Sequence, residues 1–127
     1  MTYQYGTNLK NAKLNAINTD LGSTSTMKIF SGAEPANCAA ADPTGLLATL
    51  SLPASPFAAA SGGVMALTGT WSAAASASGT AASWRIYDSS AVCQIQGNTT
   101  DLTLSPSTSI TSGQTVTITT FTITSGN

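Results

Sequence analysis

From residue 26 onward the apolar side chains of this chain recur at every second position, in short runs broken by Gly, Pro, Ser and Asn clusters. A period of two sends alternate side chains to opposite faces of an extended strand, which is how a half-buried β-strand reads in sequence. The runs "TMKIFSG" (26–32), "LLATLSL" (46–52), "VMALTGTW" (64–71), "SWRIYD" (83–88), "AVCQIQG" (91–97), "LTLS" (102–105) and "TVTITTFTI" (115–123) are rich in β-branched and aromatic residues. They predict an all-β fold: an antiparallel β-sandwich, jelly-roll-like, of about seven or eight short strands. In the last run the alternation slips by one between Thr119 and Thr120, and a β-bulge there restores a single buried face.

Ahead of the β core (26–123), "TNLKNAKLNAINTDLG" (7–22) carries Leu9, Ala12, Leu14, Ile17 and Leu21 at spacings of three and four. This predicts one N-terminal amphipathic helix, capped by Thr7 or Asn8 and ended by a left-handed Gly22, with Lys10 and Lys13 on its wet side. Residues 1–8 form an arm before it. A chain of 127 residues with 42% hydrophobic content is enough for one domain with a real core, so residues 1–127 are read as a single domain.

Within the core, "SWRIYDSSAVCQIQG" reads as a hairpin turning at Asp88, Ser89 and Ser90. Trp84 and Ile86 share one face, Arg85 and Tyr87 the other, and Cys93 and Ile95 are expected to continue the buried row. "AEPANCAAADPTG" (33–45) and "PASPFAAASGG" (53–63) are proline-bearing loops unfit for a central strand. The Ala/Ser stretch 72–83 is read as a loop able to lie flat against a neighbouring surface, because its short side chains lose little entropy on ordering.

Few side chains offer chemistry. Only 7% of residues are charged: Lys10, Lys13, Lys28 and Arg85 against Asp20, Glu34, Asp42, Asp88 and Asp101, with no histidine at all. Lack of imidazole removes the Ser-His-Asp and Cys-His designs and most zinc sites. No phosphate-cradling glycine pattern occurs, and the acidic residues are too dispersed for a calcium loop, so no cofactor and no metal are expected. Asp88 and Asp101 read as turn residues, and the chain is expected not to be an enzyme. A net charge of −1 gives no footprint for nucleic acid, and no apolar run reaches a membrane span. No secretory leader is evident; Cys38 and Cys93 are therefore expected to stay reduced in a cytoplasmic setting.

The stretches "MTYQYGTNLKNAKLNAINTDLGSTSTMKIFSGAEPANCAAAD", "TGLLATLSLP", "GTAASWRIYDSSAVCQIQG" and "SGQTVTITTFTITSGN" together resemble small proteins from the structural modules of tailed bacteriophages and prophages. The resemblance covers nearly the whole chain, through packing and turn motifs. Such proteins resemble capsid cement, or decoration, proteins: β domains, often dimeric or trimeric, that bridge capsomers on the outside of an icosahedral shell. The resemblance implies a non-enzymatic virion protein made in the host cytoplasm and located on the capsid exterior. Its partners would be the major capsid protein and further copies of itself as a homodimer or homotrimer, with no nucleic acid or membrane. A neck or tail decoration and a carbohydrate-binding adhesin module are the alternatives. From exposure and loop position, the candidate protein contacts are Tyr3, Gln4 and Tyr5 in the arm, Glu34, Pro35, Asp42 and Pro43 in the proline loop, and Ser76 and Ser78 in the Ala/Ser stretch.

Overall fold

The computed structural model describes residues 4–125. In chain order the elements are α1 (Thr7–Leu21), β1 (Thr26–Phe30), β2 (Leu46–Ser51), β3 (Val64–Ala66), β4 (Trp71–Ala74), β5 (Gly79–Thr80), β6 (Ser83–Tyr87), β7 (Cys93–Asn98), β8 (Leu102–Ser105), β9 (Ser109–Ile110) and β10 (Thr115–Thr124). All the strand pairs are antiparallel. One sheet runs β2-β1-β6-β7; a second is built on β10, which pairs β3, β4 and β8; β5 and β9 form a small ribbon.

Alternation explains the layering. Met27 and Ile29 of β1, and Trp84 and Ile86 of β6, turn one way and are buried. Val116, Ile118 and Phe121 of β10 are buried in the same core, with Trp71, Leu102 and Leu104 from its neighbours. Phe121 meets Trp84 at a centroid distance of 5.0 Å, Phe57 at 5.7 Å and Trp71 at 5.9 Å, all edge-on. Edge-on pairs of this kind add about 0.5–1.5 kcal/mol each beyond the area they bury. The result is an all-β sandwich with one N-terminal helix, as the period-two pattern predicts.

The slip in the last strand is a bulge where the alternation places it: the register of β10 against β8 shifts between Ile118 and Thr120. Elsewhere the boundaries differ from expectation. The run 64–71 divides into β3 and the start of β4, with Gly69 at φ 70° between them. Part of the Ala/Ser stretch is not a loop: Trp71–Ala74 pairs with β10 and Gly79–Thr80 with β9. Small residues let the backbone pack there; the Ser76 N–H and hydroxyl both donate to the Leu47 carbonyl of β2.

Helix α1 also departs from its expected form. Its N-cap is Gly6, without a side-chain cap, rather than Thr7 or Asn8, whereas Gly22 ends it with the expected positive φ, 76°. Leu14 and Leu21 are buried and Ile17 packs against the core, but Leu9 is 50% exposed and Ala12 is also exposed. Much of the docking is instead polar. Asn11 accepts from the Gly63 N–H, Asn15 from Ala60 and Asn18 from Phe57, while the Asn18 amide donates to the Phe57 carbonyl. Spacings of four and three put these amides on one helical face, where they satisfy the backbone of loop 53–63. Lys13 is exposed as expected; Lys10 is half-buried, its stem beside Gly63.

Candidate functional site

The second face of the β2-β1-β6-β7 sheet carries polar residues in register. Thr49, Lys28, Arg85 and Gln96 lie opposite one another across the four strands. Beside that row, Thr26, Tyr87 and Cys93 form the next. Such a face would ordinarily be wet, yet every residue of β6 is buried, because the long connection from β1 to β2 folds back over it. The base of that connection is tied by the Ser31 N–H to Gly45 and the Gly32 N–H to Thr44, both at 2.9 Å.

Arg85 holds the loop down. It is 2% exposed and uses its whole donor fork. Nε and Nη2 donate to the Gln96 side-chain oxygen at 3.2 and 3.0 Å, and Nη2 to the Asn37 carbonyl at 3.0 Å. Nη1 donates to the Ala40 carbonyl at 3.0 Å and to the Asp42 carboxylate at 2.9 Å. A guanidinium has five N–H bonds, so this geometry absorbs them all. Gln96 is held in turn by donating to the Pro35 carbonyl at 2.7 Å. Tyr87 donates its hydroxyl to the same Asp42 oxygen, and Lys28 sits 4.9 Å over the Tyr87 ring.

Ionisation follows from these contacts. The Tyr87 hydrogen bond, then Arg85, holds the Asp42 carboxyl below its ordinary value even though burial opposes the charge. Burial, then the bond to Asp42, pushes the Tyr87 phenol up. For Cys93 burial again acts first, followed by a hydrogen bond with Cys38, and the thiol is pushed up to about 12. The hairpin reading placed Cys93 beside Ile95 in the core row; the register slips between Ile86 and Tyr87, so Cys93 faces Tyr87 under the covering loop instead. Both cysteines are free and half-buried.

The candidate contacts fall in separate places. Glu34, Pro35, Asp42 and Pro43 are together on the covering loop, Glu34 exposed and Pro35 and Pro43 half-buried. Ser76 and Ser78 are exposed but spoken for, Ser78 accepting from the Ser112 N–H at 2.9 Å. Gln4 is exposed, Tyr5 is half-buried beneath the Lys13 ammonium, and Tyr3 lies outside the described residues. Arg85 and Gln96 were not singled out from the sequence, although an arginine in the middle of an apolar strand is a signal for a buried, fully paired cation.

A cleft of about 300 Å³ opens elsewhere, between α1, β7 and β10, with Ile17, Trp84, Ile95, Phe121 and Asp101 among its lining. Asp101 accepts from the Asn98 N–H at 2.9 Å, which is the turn role expected of it. Among the described residues no group of three or more His, Cys, Asp or Glu side chains is placed to hold a metal ion, and no helix is long and apolar enough to cross a membrane. Comparison with protein-family models, with curated proteins and with solved structures finds no match for the chain.

Proposed function

We propose that this protein is a non-enzymatic virion structural protein of the capsid cement kind, which binds the outer surface of an icosahedral shell and bridges its subunits. The observation that carries the reading furthest is the covering loop: a long surface segment fixed to a rigid sheet by a buried arginine whose donors are all consumed internally. Such a loop offers a preformed face to a partner. Ala33, Glu34, Ala36, Asn37, Ala39, Ala41 and Asp42 are exposed along it, so the face is mostly small and uncharged. Little conformational entropy is lost when a preorganised face of small residues docks. Many copies clamping neighbouring subunits then raise a shell's resistance to rupture, even when each contact is weak.

The sequence resemblance supports the same role. A sugar-binding adhesin is less well supported, because Trp71 and Trp84 are buried at 0% and 3% exposure and give no indole platform. The test is copy number and position in purified particles. Cement predicts a fixed simple ratio to the major shell protein, density on the outer surface, and particles that rupture at lower temperature when the protein is left out. A few copies confined to neck or tail would replace this reading with the tail one, and absence from particles would end both.

A further inference from the structure

We propose that Cys38 and Cys93 form a redox-controlled staple: in the folded protein they close into an intramolecular disulfide that fastens the covering loop to strand β7. The inference is independent of the virion reading.

Four observations place the two thiols together. Cys38 stands between Asn37 and Ala40, whose carbonyls both accept from Arg85 of β6. Cys93 is paired with Tyr87 on the neighbouring strand, whose hydroxyl reaches Asp42 of the same loop. Pro35 is tied to Gln96, on the strand that carries Cys93. Finally, Cys38 is among the neighbouring groups that act on the Cys93 thiol, so the two side chains share one environment beneath the loop. The bulge between Ile86 and Tyr87 is what makes this possible: with unbroken alternation Cys93 would share the face of Ile95 and sit on the far side of the sheet. The Cys93 thiol also donates to the Ile95 carbonyl at 3.6 Å. The segments that carry the two thiols are thus tied to each other on both sides of the pair, which restricts how far the sulfurs can part.

The chemistry divides between them. Cys93, whose proton is held by burial, rests as a thiol at neutral pH, so the first attack falls to Cys38 on the loop. Cys38 displaces one half of a low-molecular-weight disulfide, releasing one thiol and forming a mixed disulfide. Cys93 then attacks the Cys38 sulfur, the Cys38–Cys93 bond forms, and the second small thiol leaves with the Cys93 proton. In sum two protein thiols are oxidised, one external disulfide is reduced, and two small thiols are released. Closure ties together positions far apart in sequence, so it restricts the unfolded chain while asking little movement of the folded one.

The experiment uses the full chain, reduced, desalted and exposed to oxidised glutathione without denaturant. Expected are a monomer lighter by two hydrogen atoms, a proteolytic peptide pair joined through Cys38 and Cys93, and a melting temperature higher by about 6–15 °C. Cys93→Ser should stop at a glutathione adduct on Cys38, and Cys38→Ser should take up glutathione far more slowly. Folded wild-type protein that halts at the adduct, links only between molecules, or closes only after denaturant is added would overturn the proposal.

Discussion

The two faces of strand β6 are equally hidden and held by different forces. On the inner side Trp84 is 3% exposed and packs on Phe121; on the outer side Arg85 is 2% exposed and is held by hydrogen bonds to a loop. Burial alone does not tell them apart. Inner contacts scale with area and shape, so no single direction matters much. Outer contacts centre on the fork of one guanidinium, so one substitution removes five of those hydrogen bonds together. Global stability therefore belongs to the inner face and loop position to the outer one, and the two should be separable.

The harshest way to test the inner side is Phe121→Ala. It removes a ring shared by Phe57, Trp71 and Trp84 and should cost about 3–5 kcal/mol. The urea midpoint should fall with its slope unchanged, and amide exchange should quicken throughout both sheets. If exchange instead quickened only around residues 31–45, the division between the faces would be wrong.

Arg85→Met is the matching test outside. Methionine fills much of the same volume but leaves the Asn37 and Ala40 carbonyls, Asp42 and Gln96 without their donor. The expected cost is about 2–4 kcal/mol, less than for a wholly buried pair because Asp42 is 43% exposed and stays hydrated. Those groups regain water if the loop lifts. Limited proteolysis should therefore cut first between residues 33 and 45 while the β-sheet circular dichroism is unchanged. Cutting spread evenly over the chain would show that the loop and the core open as one unit.

The same contrast explains what the sequence made legible. Inner faces follow from alternation: Met27, Ile29, Trp84, Ile86, Val116 and Ile118 are where a period of two puts them, and even the bulge near Thr119 can be inferred from a broken pattern. The outer cluster could not be found that way. Asn37, Ala40 and Asp42 reach Arg85 from sequence separations of 48, 45 and 43, the first two through backbone carbonyls that no residue type announces. Cys93 was misplaced for a related reason. The bulge that turns it outward falls next to a hairpin turn, where Gln94 breaks no apolar pattern. Helix α1 shows the same limit, since its asparagines at 11, 15 and 18 look like a solvated face until loop 53–63 is set against them.

A gentler probe of the outer face is pH, under reducing conditions, with loop proteolysis as the readout. Cys93 is raised in the folded protein from 9.0 to about 12, so its contribution is complete below pH 9.0 and is lost as pH climbs toward 12. Tyr87 is raised from 10.0 and acts with the same sign from a higher onset. Asp42 is lowered from 3.8, so its contribution is present above that value and fades as pH falls through the folded one. The loop should therefore loosen at both ends of the scale and hold between them. Cys93→Ser should move the alkaline onset from near pH 9.0 to above 10.0, where Tyr87 alone remains, and Asp42→Asn should flatten the acid side. The inner face is held by apolar contact around Phe121, so core amide exchange measured between these limits should track the solvent's own pH dependence and nothing more. A core that loosened in step with the loop would mean that Arg85 and Phe121 hold up a single cooperative structure.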